Sequence, residues 1–292
     1  MRRVPVADLS AWLTDGEELA LLDAREQGVF LRGHLFHAAC VPLSHLEMQL
    51  PDLVPRRTAR VVWCDAGGDD DLAARAAERS TDLGWTDVSV LDGGVAAWSD
   101  AGREVYAGVN VPSKAFGEHV EHTFGTPRLP ADEVHAMIAA GENVVVLDSR
   151  PIEEFRRMSI PTGTDCPGAE LVHRVKQVAD DPDSLVVVNC AGRTRSIIGC
   201  QSLVNAGLEN RVVALENGTM GWELAGFPVE RGRDDHAPEP SPEARSWGEA
   251  AAARVGRRFG VRHIDHAVLA TWQADPDRTT VLLDVRRPDE YE

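Results

Sequence analysis

Residues 184–207 read SLVVVNCAGRTRSIIGCQSLVNAG, and the order of side chains in this stretch decides the fold. The run at 184–189 is apolar and rich in β-branched residues, which predicts a buried strand. The stretch at 196–207 opens on Ser196, a preferred N-cap residue, and ends on a glycine, so it predicts a helix. A strand that leads through a short loop into a helix is the building unit of an α/β domain, and Cys190 lies where the strand ends.

The neighbouring segments extend this pattern. VVVLD at 144–148 and RVVAL at 211–215 predict further strands, and PIEEFRRM at 151–158 predicts a short helix between them. Continuous apolar strands separated by helices indicate a parallel β-sheet with helices on both faces. Ligands of such sheets bind at the carboxyl ends of the strands, which is the position of Cys190.

The chain contains two copies of this domain. LALLDAREQGVF at 19–30 resembles VVVLDSRPIEEF at 144–155, and LDGGVAAWSDAG at 91–102 resembles LENGTMGWELAG at 215–226. Three pairs of equivalent residues are 125, 126 and 124 positions apart, namely Asp23 and Asp148, Cys64 and Cys190, and Trp98 and Trp222. One common spacing at three independent anchors indicates an internal repeat.

A third copy opens at the end of the sequence, where TTVLLDVRRPDEYE at 279–292 repeats the first strand of the other two. The segment at 106–130 is rich in glycine, proline and turn formers, and that at 231–247 is charged and proline-rich, which is typical of connectors. We therefore predict a domain at 1–105, a linker at 106–129, a domain at 130–230, a linker and helix at 231–278, and the start of a truncated third domain at 279–292.

Composition limits the function classes. The 292 residues carry a formal net charge of −17, which argues against nucleic acid or an anionic membrane as partner, because both require a basic surface. No run approaches the roughly 18 apolar residues of a membrane span, and no signal-peptide core precedes Asp15. The five cysteines are scattered without a C-x-x-C pair, which indicates neither a disulfide framework nor a zinc site. Reduced thiols and a cytoplasmic location are the expectation.

The loop after the second-copy strand has the chemistry of an anion site beside a nucleophile. Its amides precede a helix, where backbone N–H groups lack partners and the macrodipole is positive. Gly192 allows a tight turn, and Arg193 and Arg195 add two positive charges. A cysteine after a valine run is more often a small buried core residue, but this loop favours a stabilised thiolate. We predict Cys190 as the nucleophile, with a substrate-binding loop of Ala191, Gly192, Arg193, Thr194, Arg195 and Ser196.

The repeat resembles the rhodanese homology domain, in a tandem arrangement like that of multidomain bacterial thiosulfate sulfurtransferases. The resemblance covers about residues 5–105 and 130–230, and it depends on the cysteine loop and on several short motifs. These motifs are the Asp-x-Arg pairs Asp23/Arg25, Asp148/Arg150 and Asp284/Arg286, the Gly33-His34-Leu35 turn, and the Gly-x-x-x-Trp pairs Gly94/Trp98 and Gly218/Trp222.

The resemblance implies a two-step sulfur transfer. Cys190 would take the outer sulfur from thiosulfate or another sulfane-sulfur donor as a persulfide and pass it to a thiol or to cyanide. The loop amides would hold the persulfide, and the two arginines would orient the donor. No metal or organic cofactor is expected. The resemblance leaves the physiological donor, the acceptor and the oligomeric state open.

Two other functions stay open at this stage. A carrier module, which relays persulfide sulfur between proteins without catalysing its release, would need the same loop. The related Cys-based phosphatases and arsenate reductases have a longer loop, with five residues between cysteine and arginine. Four residues separate Cys190 from Arg195, which favours a sulfur atom over a phosphate.

The first copy is predicted not to perform this chemistry. Its loop reads CDAGGDDDLA from Cys64 and carries four aspartates in place of the two arginines. Like charge disfavours a thiolate and repels an anionic donor. We also expect Asp148 and Arg150 to tie their strand to neighbouring backbone, and Cys200 to be a core residue.

Overall fold

The computed structural model describes residues 1–108, 110–286 and 288–291. It divides into two compact units, one of residues 1–112 with 263–292 and one of residues 113–262. Each unit contains a five-stranded sheet in which the paired strands are parallel. The predicted α/β class with tandem parallel sheets is confirmed.

The first sheet has the strand order β1-β5-β4-β2-β3. Its strands are β1 (Arg2–Val4), β2 (Leu19–Asp23), β3 (Ala39–Cys40), β4 (Arg60–Cys64) and β5 (Val88–Leu91). The helices of this part of the chain are α1 (Val6–Trp12), α2 (Gln27–Phe30), α3 (Leu46–Leu53), α4 (Leu72–Asp82) and α5 (Gly94–Asp100), with a 3₁₀ turn at Leu43–His45.

The second sheet repeats the topology, with the order β6-β10-β9-β7-β8. Its strands are β6 (Arg128–Leu129), β7 (Val144–Asp148), β8 (Thr164–Asp165), β9 (Leu185–Asn189) and β10 (Val212–Leu215). The helices here are α6 (Val111–Phe124), α7 (Ala131–Ala139), α8 (Ile152–Arg157), α9 (Leu171–Val178), α10 (Thr194–Ala206), α11 (Gly218–Leu224) and α12 (Pro242–Arg258). The remaining helices are α13 (His266–Ala274) and α14 (Pro288–Tyr291).

The central strand β9 is covered on both faces, as its continuous apolar run predicts. Val186 and Val188 belong to one buried cluster, together with Leu203 of α10. Val187 belongs to the cluster on the other face, together with Trp222 of α11. Burial of each valine side chain contributes about 1.5–3 kcal/mol, so the strand and the start of its loop are held firmly.

The segment predicted as a turn-rich linker contains a helix instead. α6 spans 14 residues, and Val111 and Val120 on it are buried. Val120 joins the core cluster of the second unit, so tertiary packing outweighs the low helix propensity of Gly117. This helix contacts the active loop, as described below.

The third repeat does not form a strand in the part of it that the structure describes, residues 279–286 and 288–291. The side chains of Val281, Leu283 and Val285 are exposed. A strand is stable only when neighbouring strands satisfy its backbone, and no described strand pairs with these residues. Arg286 still pairs with Asp284 at 2.7 Å, the arrangement found in the other two copies.

Among the described residues, no helix is both long and apolar enough to cross a lipid bilayer.

Candidate active site

Cys190 follows the last residue of β9, at the carboxyl edge of the second sheet. Only 2% of Cys190 is exposed to solvent, so the thiol lies at the base of the loop rather than on the surface. Such low exposure of the thiol suits a donor that presents a single terminal sulfur atom, and it disfavours a donor whose sulfur is flanked by bulky groups.

The carbonyl groups at the start of the loop are held by α11. The amide of Thr219 donates to the carbonyl of Cys190 at 2.8 Å, and that of Met220 donates to the carbonyl of Ala191 at 3.1 Å. The C=O and the N–H of a trans peptide point in opposite directions, so the amides of Ala191 and Gly192 point away from α11.

The backbone amides of this loop have no acceptor among the residues that the structure describes. In the described parts of the chain, no backbone N–H between Ala191 and Ser196 donates to a protein atom; the first amide of α10 to do so is that of Ile197, which donates to Arg193 at 3.1 Å. The Ser196 hydroxyl also donates to the carbonyl of Arg193, at 2.8 Å. The helix begins at Thr194, two residues earlier than predicted, so the amides from Thr194 to Ser196 belong to a helix N-terminus that attracts anions.

Gly218 allows α11 to approach the loop this closely. It has a φ of +54°, and a Cβ at this position would lie 2.2 Å from the carbonyl oxygen of Cys190 and 2.7 Å from that of Gly192. No other residue type has both the conformational freedom and the space. From the sequence alone Gly218 was identified only as a motif residue, although a glycine four positions before a tryptophan in both copies, Gly94 and Gly218, was the signal for it.

A buried polar network lies below the loop. The Asn189 amide group donates to Asp148 at 2.7 Å and to Thr219 at 2.8 Å. Arg150 donates through two nitrogens to Asp148, at 2.8 and 2.7 Å, and to the carbonyl of Met158 at 2.7 Å. The predicted tie between Asp148, Arg150 and neighbouring backbone is confirmed, and it fixes the strand end from which Cys190 extends.

Both loop arginines contact carboxylates that the sequence analysis did not consider. Arg195 donates to both oxygens of Glu154, each at 2.8 Å. Hydrogen bonds from Arg195 lower the pKa of Glu154, so Glu154 is a carboxylate at neutral pH. Conversely, the hydrogen bonds to Glu154 raise the pKa of Arg195, so its guanidinium is positively charged at neutral pH.

Arg193 faces α6. It pairs with Glu121 and, at 3.4 Å, with Glu118. The next loop residue, Thr194, packs against Gly117 so closely that a Cβ on this glycine would lie 2.9 Å from its methyl group. A cavity of about 220 Å³ lies beside Arg193 and extends to the end of β10.

The equivalent loop of the first copy is filled by the protein itself. The carboxylate of Asp65 accepts hydrogen bonds from the amides of Gly67 and Ala73, both at 2.9 Å. Cys64 is fully buried, and burial, with Asp23 and Asp65, raises the pKa of its thiol well above the usual value. The amides of Gly67 and Ala73 are therefore already occupied by a carboxylate of the protein, and the thiolate form of Cys64 is disfavoured.

The remaining cysteines of the second unit are core residues. Burial raises the pKa of Cys166 and of Cys200 to about 12, which agrees with the core role expected for Cys200. Within the described ranges, no cluster of three or more His, Cys, Asp or Glu side chains is placed to hold a metal ion. The expectation that no metal or organic cofactor takes part stays a prediction.

Comparison with known proteins agrees with this architecture. The rhodanese-like domain family matches residues 5–101 and 130–225. The crystal structure of a thiosulfate sulfurtransferase from Pseudomonas aeruginosa is 49% identical with a TM-score of 0.91, and the match covers 100% of this chain and 55% of that one. An HTH-type transcriptional regulator of Mycobacterium tuberculosis is 33% identical over 93 residues, 32% of this chain and 40% of the regulator.

The chain spans about half the length of the Pseudomonas protein. Each of the two family matches contains four of the five strands of one sheet, so both copies of the repeat are included. The chain belongs to the rhodanese-like domain family, of which it contains two copies in tandem.

Proposed function

We propose that this chain is a sulfurtransferase that moves sulfane sulfur through a persulfide on Cys190. The observation that carries the proposal is the set of backbone amides from Ala191 to Ser196, which have no acceptor in the described chain and directly follow a buried thiol at a strand end. The thiosulfate sulfurtransferase activity named for the similar Pseudomonas protein supports the same reaction type.

In the first step, the Cys190 thiolate attacks the outer sulfur of thiosulfate. The new bond joins the Cys190 sulfur to this atom, and the S–S bond of thiosulfate breaks with its electron pair leaving on sulfite. The persulfide anion is stabilised by the loop amides, which act as fixed donors toward developing negative charge. In the second step, cyanide or a thiolate attacks the outer sulfur and the electron pair returns to the Cys190 sulfur.

The domain roles follow from the two loops. The second copy performs the chemistry, because Cys190 is followed directly by loop amides that lack acceptors in the described chain and by two arginines. The first copy does not, because the Asp65 carboxylate occupies the corresponding amides. We retain the proposed boundaries of 1–105 and 130–230 for these domains, the third domain opening at 279, and a cytoplasmic location consistent with five unpaired thiols.

The test is incubation with thiosulfate, followed by mass spectrometry and by addition of cyanide. We expect a gain of one sulfur atom on the peptide that contains Cys190, and formation of thiocyanate. Cys190→Ser should abolish both, whereas Cys64→Ser, the matched change in the other copy, should leave both unchanged.

Three results would contradict the proposal. A persulfide that forms on Cys190 only from a protein donor, with no thiocyanate, would make the chain a carrier. Hydrolysis of an aryl phosphate that depends on Cys190 would make it a phosphatase. Equal losses in the two serine variants would show that the second copy is not the sole site.

A further inference from the structure

The two loop arginines differ in how firmly their carboxylate partners are held. Glu121 is only 10% exposed at its side chain and contacts both Arg193 and, at 2.5 Å, Arg128. Arg193 is therefore part of a network that fixes the loop to α6. A substrate would have to disrupt several contacts to recruit it.

The second pair is open to exchange. The side chains of Arg195 and Glu154 are 42% and 36% exposed, and Glu154 is the single carboxylate with which Arg195 pairs among the described residues. The pairing is bidentate, so Glu154 occupies two N–H groups of the guanidinium that a donor's oxygen atoms would otherwise bind. Exposed pairs of this kind are weak and can be displaced by another anion.

The first copy provides an internal comparison. The position equivalent to Glu154, six residues after the strand-end aspartate, is Val29 in the first copy, whose loop has no arginine. The glutamate thus occurs in the copy with the loop arginine and is replaced by an exposed apolar residue in the copy without it.

We propose that Glu154 is a specificity-determining residue that disfavours highly charged sulfur donors. This inference rests on the proposed function and extends it to the donor class. A donor must displace the Glu154 carboxylate from Arg195 and remain beside it, so the repulsion grows with the donor's negative charge. Monoanionic sulfane donors, such as thiosulfonates and low-molecular-weight persulfides, are thereby favoured over the thiosulfate dianion.

The experiment compares two donors that leave by the same chemistry. Thiosulfate releases sulfite, and benzenethiosulfonate, a monoanion, releases benzenesulfinate; both transfer their outer sulfur to the Cys190 thiolate. The kcat/KM for the donor is measured for the 292-residue chain with saturating cyanide. Glu154→Gln is the test variant, and Glu153→Gln is the control, because Glu153 is an exposed neighbour on the same turn of α8.

We expect Glu154→Gln to raise kcat/KM for thiosulfate about two- to fivefold. The value for benzenethiosulfonate should change less, because its charge is half as large. Glu153→Gln should leave the ratio of the two values unchanged, since an exposed charge away from the donor is screened. In an Arg195→Gln background, Glu154→Gln should no longer alter the ratio, because the guanidinium for which the donor and Glu154 compete is absent.

A fall in kcat/KM for thiosulfate in Glu154→Gln would overturn the inference, because Glu154 would then assist donor binding. An equal change of the ratio in Glu153→Gln would also overturn it, since net charge alone would explain the effect. If the unsubstituted chain transfers sulfur from neither donor, the proposed function itself fails; if it transfers sulfur from both and the ratio is insensitive to Glu154, only this inference fails.

Discussion

Replacement of Gly218 by alanine tests whether the geometry of the Cys190 loop supports the chemistry. The new Cβ would lie 2.2 Å from the Cys190 carbonyl oxygen and 2.9 Å from the Gly192 nitrogen, whereas real contacts of a Cβ lie beyond 3.0 Å. The loop, the helix or both must therefore move by about 1 Å, and a misplacement of this size at a reacting centre costs about 100-fold in rate. The positive φ adds about 1–2 kcal/mol of strain to the folded state.

The chain offers two matched controls. Gly226 also has a positive φ, +83°, but a Cβ there meets no atom within 4 Å, so Gly226→Ala carries the strain without the clash. Gly94→Ala reproduces the clash in the first copy, at 2.6 Å from the carbonyl oxygen of Asp65, without touching the Cys190 loop. Thiocyanate formation should fall about 100-fold in Gly218→Ala alone, while urea unfolding reports stability for all three. A folded Gly218→Ala variant with the turnover of Gly226→Ala would refute the reasoning.

Three further predictions concern stability and thiol reactivity. Asp65→Ala should destabilise the protein by about 1–3 kcal/mol in urea unfolding, because the amides of Gly67 and Ala73 lose their acceptor, with turnover unaffected; a loss of turnover would implicate the first copy in catalysis. Asn189→Asp should cost about 3 kcal/mol or more, since it places a second buried carboxylate beside Asp148, and an unchanged unfolding midpoint would contradict this account of the network. With pKa values of about 12, Cys166 and Cys200 should resist iodoacetamide at pH 8 and react faster only as the pH rises toward 12. Peptide mass spectrometry detects the labelled cysteines. Labelling of either residue at pH 8 in the folded protein would count against their core role.

Local patterns in the sequence were sufficient to predict the strand–loop–helix unit. The strand expected at 184–189 is β9 at Leu185–Asn189, and the helix expected at 196–207 is α10, which ends before Gly207 in the left-handed conformation. Both elements are determined by side chains within a few positions of each other. The helix starts earlier than predicted because Arg193 is its N-cap residue and the carbonyl of Arg193 already accepts a hydrogen bond from the amide of Ile197.

Contacts between distant residues could not be predicted. Glu154 is 41 positions from Arg195, and Glu121 is 72 positions from Arg193, and only the fold brings each pair together. The helix α6 was missed for a related reason, because burial of Val120 stabilises it and no local signal reveals that burial. The third repeat shows the opposite error: its strand pattern is clear, but residues 279–286 lack the neighbouring strands that a strand requires.

The carboxylate of Asp65 gives the two copies different relations to solute anions. The first copy contains its own anion, the Asp65 carboxylate, so the amides of Gly67 and Ala73 are occupied whatever anions the medium contains. The second copy exposes the same backbone dipoles to whatever anion is dissolved around it, and occupancy at 100 times the dissociation constant would add about 2.7 kcal/mol to its stability. Sulfite or sulfate should therefore act as a thermal protectant for one half of the repeat and leave the other half unchanged.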